Sequence, residues 1–427
     1  MRDPDTYPAP VRAVGSNHST TPCGVAEGGT VVSMRGLDRV LDIGADSVTA
    51  EAGALYIDVS RRLRAHGLQF YVNVEIGNLT IGSAACGQTK DASFPGEYGQ
   101  VCSYACEIKL VTASGERMTI TEDQPELLRA VRSSHGLLGI VYEATFKVRP
   151  IEPMVVHHAT YDLNVFERRL PALLGRGEAL MLYIDPYLDA VTVEFRRYEA
   201  ASRPGRASSW QWRLRNLMWS TIAPFTASWI TRRVTSTRLR HVLLEALQRL
   251  INVMSVRVLR GRHTIASDQM IRYPEKATSS GYTFSIWAFP EDRYARTLRD
   301  YYDFARTYLR ASAYRPDLTH VGYRISQDTS STFSYTHSGP VMTIDPVSTG
   351  GEGWEDFLPA YNDFCSRHGG IPLLNQTPAL TRSQVHKAFG DRIDSFERVR
   401  ADLDPNDRLL NDYFEALLSG RGANSDE

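Results

Sequence analysis

The residues best suited to chemistry begin at Val14 and continue Gly15, Ser16, Asn17, His18, Ser19, Thr20. A glycine followed by small polar residues lets a strand-to-loop turn aim successive backbone N–H groups at one anion, and a cofactor pyrophosphate is such an anion. His18 stands inside that turn, within reach of whatever the pyrophosphate carries. Two more glycine-punctuated segments follow, Gly77-Asn78-Leu79-Thr80-Ile81-Gly82-Ser83-Ala84-Ala85 and Gly136-Leu137-Leu138-Gly139-Ile140-Val141-Tyr142-Glu143. No G-x-G-x-x-G follows a first strand and opens a helix, so a doubly wound dinucleotide fold is not indicated.

In order and spacing, the three segments resemble the FAD-binding domain of the vanillyl-alcohol oxidase superfamily, the PCMH type. Asp404-Pro405 with Leu410-Asn411-Asp412-Tyr413-Phe414 resembles the closing motif of the sugar-lactone and alditol oxidases, so the likeness covers nearly the whole chain. It implies FAD held by Val14, Gly15, Ser16, Asn17, His18 and Ser19, by Asn78, Thr80, Gly82, Ser83 and Gly87, by Gly139 and Ile140, and by Asn411. It also implies a single covalent bond through His18, because members with two bonds place a cysteine where this chain has Asn78.

Oxidising a CH–OH group removes a proton and a hydride, and the negative charge left on the flavin calls for a cation or a set of donors beside it. The family presents a Glu-x-Arg pair on one strand and a lysine near the C-terminal end. The matching strand here reads Val321-Gly322-Tyr323-Arg324-Ile325, which keeps the arginine and replaces the glutamate with Gly322. The segment matching the lysine reads Gly369-Gly370-Ile371-Pro372-Leu373-Leu374-Asn375-Gln376-Thr377, with Asn375 or Gln376 in its place. Arg324, Gln376 and Asn375 are therefore the catalytic candidates, and the two departures leave the substrate class open.

The elements that must position these residues are short. Thr30–Val32, Ser47–Ala50, Glu107–Val111 and Ala144–Val148 read as strands, with helical patterns over Leu55–His66 and Pro125–Ser134 that end at or near glycines. Arg149-Pro150-Ile151-Glu152-Pro153 reads as a boundary. Beyond it, Val191–Arg196 and Tyr282–Pro290 alternate like strands; helices are expected over Arg293–Leu309 and Trp354–His368, with a strand at Val341–Asp345 between them. Adjacent His157 and His158 in a strand face opposite ways, so one is expected in the core and one at the surface. Ala200–Ser209 reads as a connector, and residues 210–256 as a helical insertion rich in tryptophan, leucine and arginine. The expected class is α+β: a PCMH-type FAD-binding domain (1–152), an antiparallel-sheet substrate domain (153–400) carrying the insertion, and a C-terminal segment (401–427) that returns to the flavin domain. Only fourteen residues precede Gly15, fewer than the family's usual strand-helix-strand unit, so the domain is either trimmed or begins upstream.

A chain of 427 residues needs more than one core, and a net charge of −1 gives no reason to invoke nucleic acid. Lysine occurs only at positions 90, 109, 147, 276 and 387, which limits where a catalytic lysine could be. The five cysteines, 23, 86, 102, 106 and 365, form no paired CxxC ligand set, so neither a disulfide framework nor a metal site is expected. The first residues lack an apolar signal core and no long apolar run follows, which suggests a cytoplasmic protein. The expected function is FAD-dependent oxidation of a small alcohol, polyol or lactone such as an arabinono- or gulonolactone, with oxygen as acceptor. Alternatives are a dehydrogenase passing electrons to a quinone at a membrane, touched peripherally through 210–256, and a flavin-binding protein without turnover.

Overall fold

The computed structural model describes residues 3–199, 209–258, 263–265, 271 and 282–419. Chain order and alternation give the described residues two large sheets and two small two-stranded ones. In the first, Val40–Ile43, Ser47–Glu51, Ile140–Pro150, Ala105–Val111 and Arg117–Thr121 pair antiparallel in that order, and Leu68–Phe70 adds to the far end of Ile140–Pro150. Alternate residues Val48 and Ala50, Ile108 and Leu110, and Ala144, Phe146 and Val148 are buried, as one covered face of an antiparallel sheet requires. The helix Tyr56–Ala65 buries Tyr56, Val59 and Leu63 and stops before Gly67, whose φ of 74° only glycine adopts readily. A parallel pair, Val11–Val14 with Thr30–Ser33, delivers the chain into Gly15.

The second sheet has eight strands, ordered His263–Ile265, Met154–Asp162, Ala190–Tyr198, Ala179–Asp185, His320–Ile325, Val341–Ile344, Trp287–Pro290 and Ile371–Pro372. Ala179–Asp185 is buried along its whole length because both faces are covered. Helices Leu163–Leu174, Tyr294–Ser312 and Trp354–Arg367 pack on one side. The insertion, helical over Ser209–Leu217, Ala223–Arg233 and Thr237–Val258, packs on the other.

His158 bonds the buried Glu194 at 2.9 Å while His157 stacks on Phe195, so the two rings do face opposite ways. Tyr282–Pro290 is not one strand. Thr283–Phe284 pairs with Val347–Ser348, and Trp287–Pro290 joins the large sheet, because the Ile286 carbonyl between them turns away to accept from Leu373 N and Thr377 Oγ1. The expected connector lies outside the described residues except for Ser209, which opens a helix, and so does the end of the C-terminal segment, 420–427.

The C-terminal helices Arg382–Phe389, Asp391–Leu403 and Asp412–Leu418 pack into the first core through Val385, Phe389, Ile393, Phe396, Phe414 and Leu417. This closure brings distant loops together. Val11 N donates to Arg408 O at 2.7 Å, and the segment 373–376 is carried to the mouth of the Gly15 turn. Among the described residues no helix is long and apolar enough to cross a membrane, and no group of three His, Cys, Asp or Glu could hold a metal ion.

Candidate active site

The glycine turn lines a groove of about 500 Å³. Gly15 is fixed there by close approach: a Cβ at this position would sit 2.3 Å from Thr80 Oγ1. Asn17 takes the left-handed conformation with φ 54°, which asparagine tolerates better than most residues. From Gly15 to Ser19 no backbone N–H donates to another described residue, and Thr20 N donates to Asn375 O. The opposite wall is the turn into Ile140–Pro150, where Gly136 has φ 77°.

Arg12 ties these loops to one another. Its guanidinium donates to the carbonyls of Cys23, Leu409 (2.7 Å) and His135 (2.5 Å), so its hydrogen bonds go to the frame of the groove rather than to an anion. His18 and His135 both line the groove, and each has an Nε2 that is buried with no partner among the described residues. Burial lowers the pKa of His18, although Asn78 beside it favours the charged ring. Burial and the Arg12 charge push His135 down to about 3. Both rings are therefore neutral near pH 7. Cys86 also lines the groove, but burial pushes its thiol up to about 11, which removes it as a nucleophile.

Of the residues expected to hold FAD, Val14, Gly15, Ser16, Asn17, His18, Ser19, Thr80, Gly82, Ser83, Gly87 and Gly139 line this groove, as do Asn375 and Gln376. Three others stand behind it. Asn78 is buried against His18. Ile140 packs in the core while its neighbour Val141 lines the groove, as strand alternation dictates. Asn411 caps the helix Asp412–Leu418, and its amide donates to the Pro22 and Val25 carbonyls, so it anchors a loop.

A second cavity, a chamber of about 110 Å³, lies between the large sheet and the insertion. Its walls are mostly apolar and include Val74, Trp219, Ile251, Phe284, Ile286 and Val347. Its polar residues include a linked cluster. Lys90 Nζ is 2.8 Å from Asp345 Oδ2 and 3.8 Å above the Tyr323 ring, and Tyr323 Oη donates to Glu75 Oε2 at 3.1 Å. Burial raises the Asp345 carboxyl to about 6, against the pull of Lys90. Arg196, fully buried, holds Asp91 and Glu194 and lies 3.7 Å from Glu75 Oε1. Groove and chamber share Ile76, Thr89 and Gln376.

Arg324 is not brought to either cavity. Its guanidinium pairs with Glu291 at 2.6 Å and donates to the Leu174 carbonyl, on the helix-covered side of the sheet. The strand places Val321 and Tyr323 in the chamber instead. A side chain at 322 would meet Thr343 O at 2.5 Å, so the position matching the family's glutamate has no room for one, and the alternation of the strand turns Arg324 to the same side, away from the chamber. Arg324→Ala should accordingly leave FAD content and turnover unchanged, at a stability cost on the order of 1 kcal/mol. A hundredfold loss of turnover would return the arginine to the site.

Sequence reasoning passed over Lys90, Glu75, Tyr323 and Asp345. Only the scarcity of lysine offered a signal, since Lys90 follows closely on the Thr80–Gly87 segment.

Residues 1–121 match the family model described as an FAD binding domain. That match spans the glycine turn and the Thr80–Gly87 segment of the groove. Match and groove agree, and the structure fits FAD by its own geometry: a turn with undonated N–H groups, a glycine pressed on Thr80, and two buried imidazole nitrogens facing the same space. The chain is 25% identical to an L-gulono-1,4-lactone dehydrogenase of Mycobacterium tuberculosis, over 96% of this chain and 90% of the relative. It is 22% identical to an L-gulonolactone oxidase of Mus musculus, over 96% and 89%. The fold resembles a cholesterol oxidase variant from Brevibacterium sterolicum with a TM-score of 0.71 at 13% identity, covering 96% of this chain and 90% of that one. The resemblance read from the glycine segments and the FAD-binding expectation are thus borne out.

Proposed function

We propose that this FAD-dependent oxidoreductase oxidises a CH–OH carbon of a sugar lactone, polyol or related alcohol bound in the chamber, and passes the electrons on to oxygen. The observation that carries the reading is the junction of groove and chamber at Ile76, Thr89 and Gln376, which sets a donor beside the cofactor space. In this division residues 1–152 bind FAD, 153–400 hold the donor, and 401–427 return to the flavin unit. Bound FAD supplies the two-electron acceptor for the hydride.

The chain's own groups do the rest. The apolar walls exclude water around the reacting carbon. Gln376 and Lys90 are donors at the polar side of the chamber, where they stabilise negative charge as it develops. Tyr323 Oη, already donating to Glu75 Oε2, is placed to hand the donor's hydroxyl proton to that carboxylate. Val14–Ser19, Thr80–Ser83, Gly87 and Gly139 line the FAD space, and Asn78, Ile140 and Asn411 support it from behind.

The test uses the purified flavoprotein without oxygen. L-gulono-1,4-lactone should bleach the visible flavin band, and readmitting oxygen should restore it with oxygen uptake. A second reading, transfer to a quinone at a membrane, is favoured by the exposed apolar helices of the insertion. It gains if bleaching occurs and oxygen fails to restore the colour. A flavin that no lactone, polyol or alcohol bleaches would overturn turnover altogether.

A further inference from the structure

We infer that the helical insertion 209–258 is a docking surface for an anionic lipid bilayer, on which the protein rests without crossing it. Each helix here has two apolar faces. The inward one carries Trp212, Trp219, Ala223 and Ile230, packed against Leu244 and Ile251 of the long helix. On the outward side, Trp210, Phe225 and Trp229 are 61%, 72% and 54% exposed, with Leu239, Val242 and Val253 exposed on the long helix. A surface helix of a soluble protein turns polar residues outward, so a second apolar stripe needs a partner. Nine of the fifteen large hydrophobic side chains exposed among the described residues fall in this one segment.

Charge identifies the partner. Residues 209–258 hold eight arginines and a single acidic residue, Glu245, in a chain whose net charge is −1. Arg215 is spent inside, 3.5 Å from Glu194, but Arg213, Arg232, Arg233, Arg238, Arg249 and Arg257 are exposed. Tryptophan, phenylalanine and leucine at the surface with arginines among them match the interface of an anionic membrane, where rings enter the headgroup layer and cations meet the lipid phosphates. A second copy of this chain is a poor occupant. A twofold contact would set the same arginine-rich face against itself. The long helix is too charged to span a bilayer, which leaves it lying in the interface plane.

The consequence reaches the site. Trp219, Ala223, Pro224 and Ile251 of these helices also roof the chamber, so docking brings the chamber's apolar wall next to lipid.

The test is co-sedimentation of the FAD-loaded chain with vesicles of phosphatidylcholine alone or mixed with phosphatidylglycerol. Wild type should sediment with the mixed vesicles, less with phosphatidylcholine alone, and less again in high salt. F225S/W229S should weaken binding to mixed vesicles by about tenfold or more, and R232E/R233E by about tenfold on mixed vesicles with little change on phosphatidylcholine. Flavin absorbance and melting temperature equal to wild type show that the variants fold, whether or not any donor is oxidised. The proposal falls if wild type stays in the supernatant with mixed vesicles, or if both variants sediment as wild type does. It falls too if the face is occupied by a second copy, seen as a dimer in solution that F225S/W229S makes monomeric and that ignores lipid.

Discussion

Gln376→Leu should leave FAD content unchanged and slow donor oxidation roughly 10² to 10³-fold, the usual effect of removing one well-placed donor from a site of developing negative charge. Gln376 is buried and borders both the FAD groove and the chamber. Its loop is rigid: Leu374 N donates to Gln88 Oε1 at 2.6 Å, the Leu374 carbonyl accepts from Tyr413 Oη at 2.5 Å, and Gln376 N donates to Leu373 O. A donor held this firmly needs no reorganisation when charge appears, and leucine keeps its volume while removing the polar end. Single-turnover reduction by L-gulono-1,4-lactone is the measurement. A rate within a few-fold of wild type would transfer the role to Lys90, which Lys90→Met would then test.

The second large effect is all or none. Acid precipitation of the wild type should leave the yellow colour in the pellet, while His18→Ala should release it to the supernatant and still fold. The half-buried imidazole lines the groove, desolvation lowers its pKa and favours the neutral ring, and its buried Nε2 makes no hydrogen bond to another described residue. A neutral, undonated ring nitrogen is a competent nucleophile. No cysteine stands at Asn78 to share the attachment. Flavin that leaves the wild type freely in acid would reduce His18 to a lining residue.

Local physics made much of this protein legible from sequence. Alternation placed the strands Ser47–Glu51, Ala105–Val111 and Ala190–Tyr198, glycine placed the end of Tyr56–Ala65, and helical spacing placed Tyr294–Ser312 and Trp354–Arg367 within a few residues. The three glycine segments were likewise legible, because a turn that crowds Thr80 or needs a positive φ demands glycine whatever surrounds it.

What the sequence left open depended on which face of a strand looks inward and which loops meet. Arg324 was taken as a catalytic candidate because a strand read alone has two equivalent faces. Only the tertiary structure decides this: Arg324 turns to Glu291 and the Leu174 carbonyl, while Val321 and Tyr323 line the chamber. Lys90, Glu75, Tyr323 and Asp345 come from four separated stretches, and no spacing rule connects them. Asn375 and Gln376 reach the Gly15 turn because the C-terminal helices close on the first core, a long-range contact fixed by burial of apolar faces rather than by any local pattern.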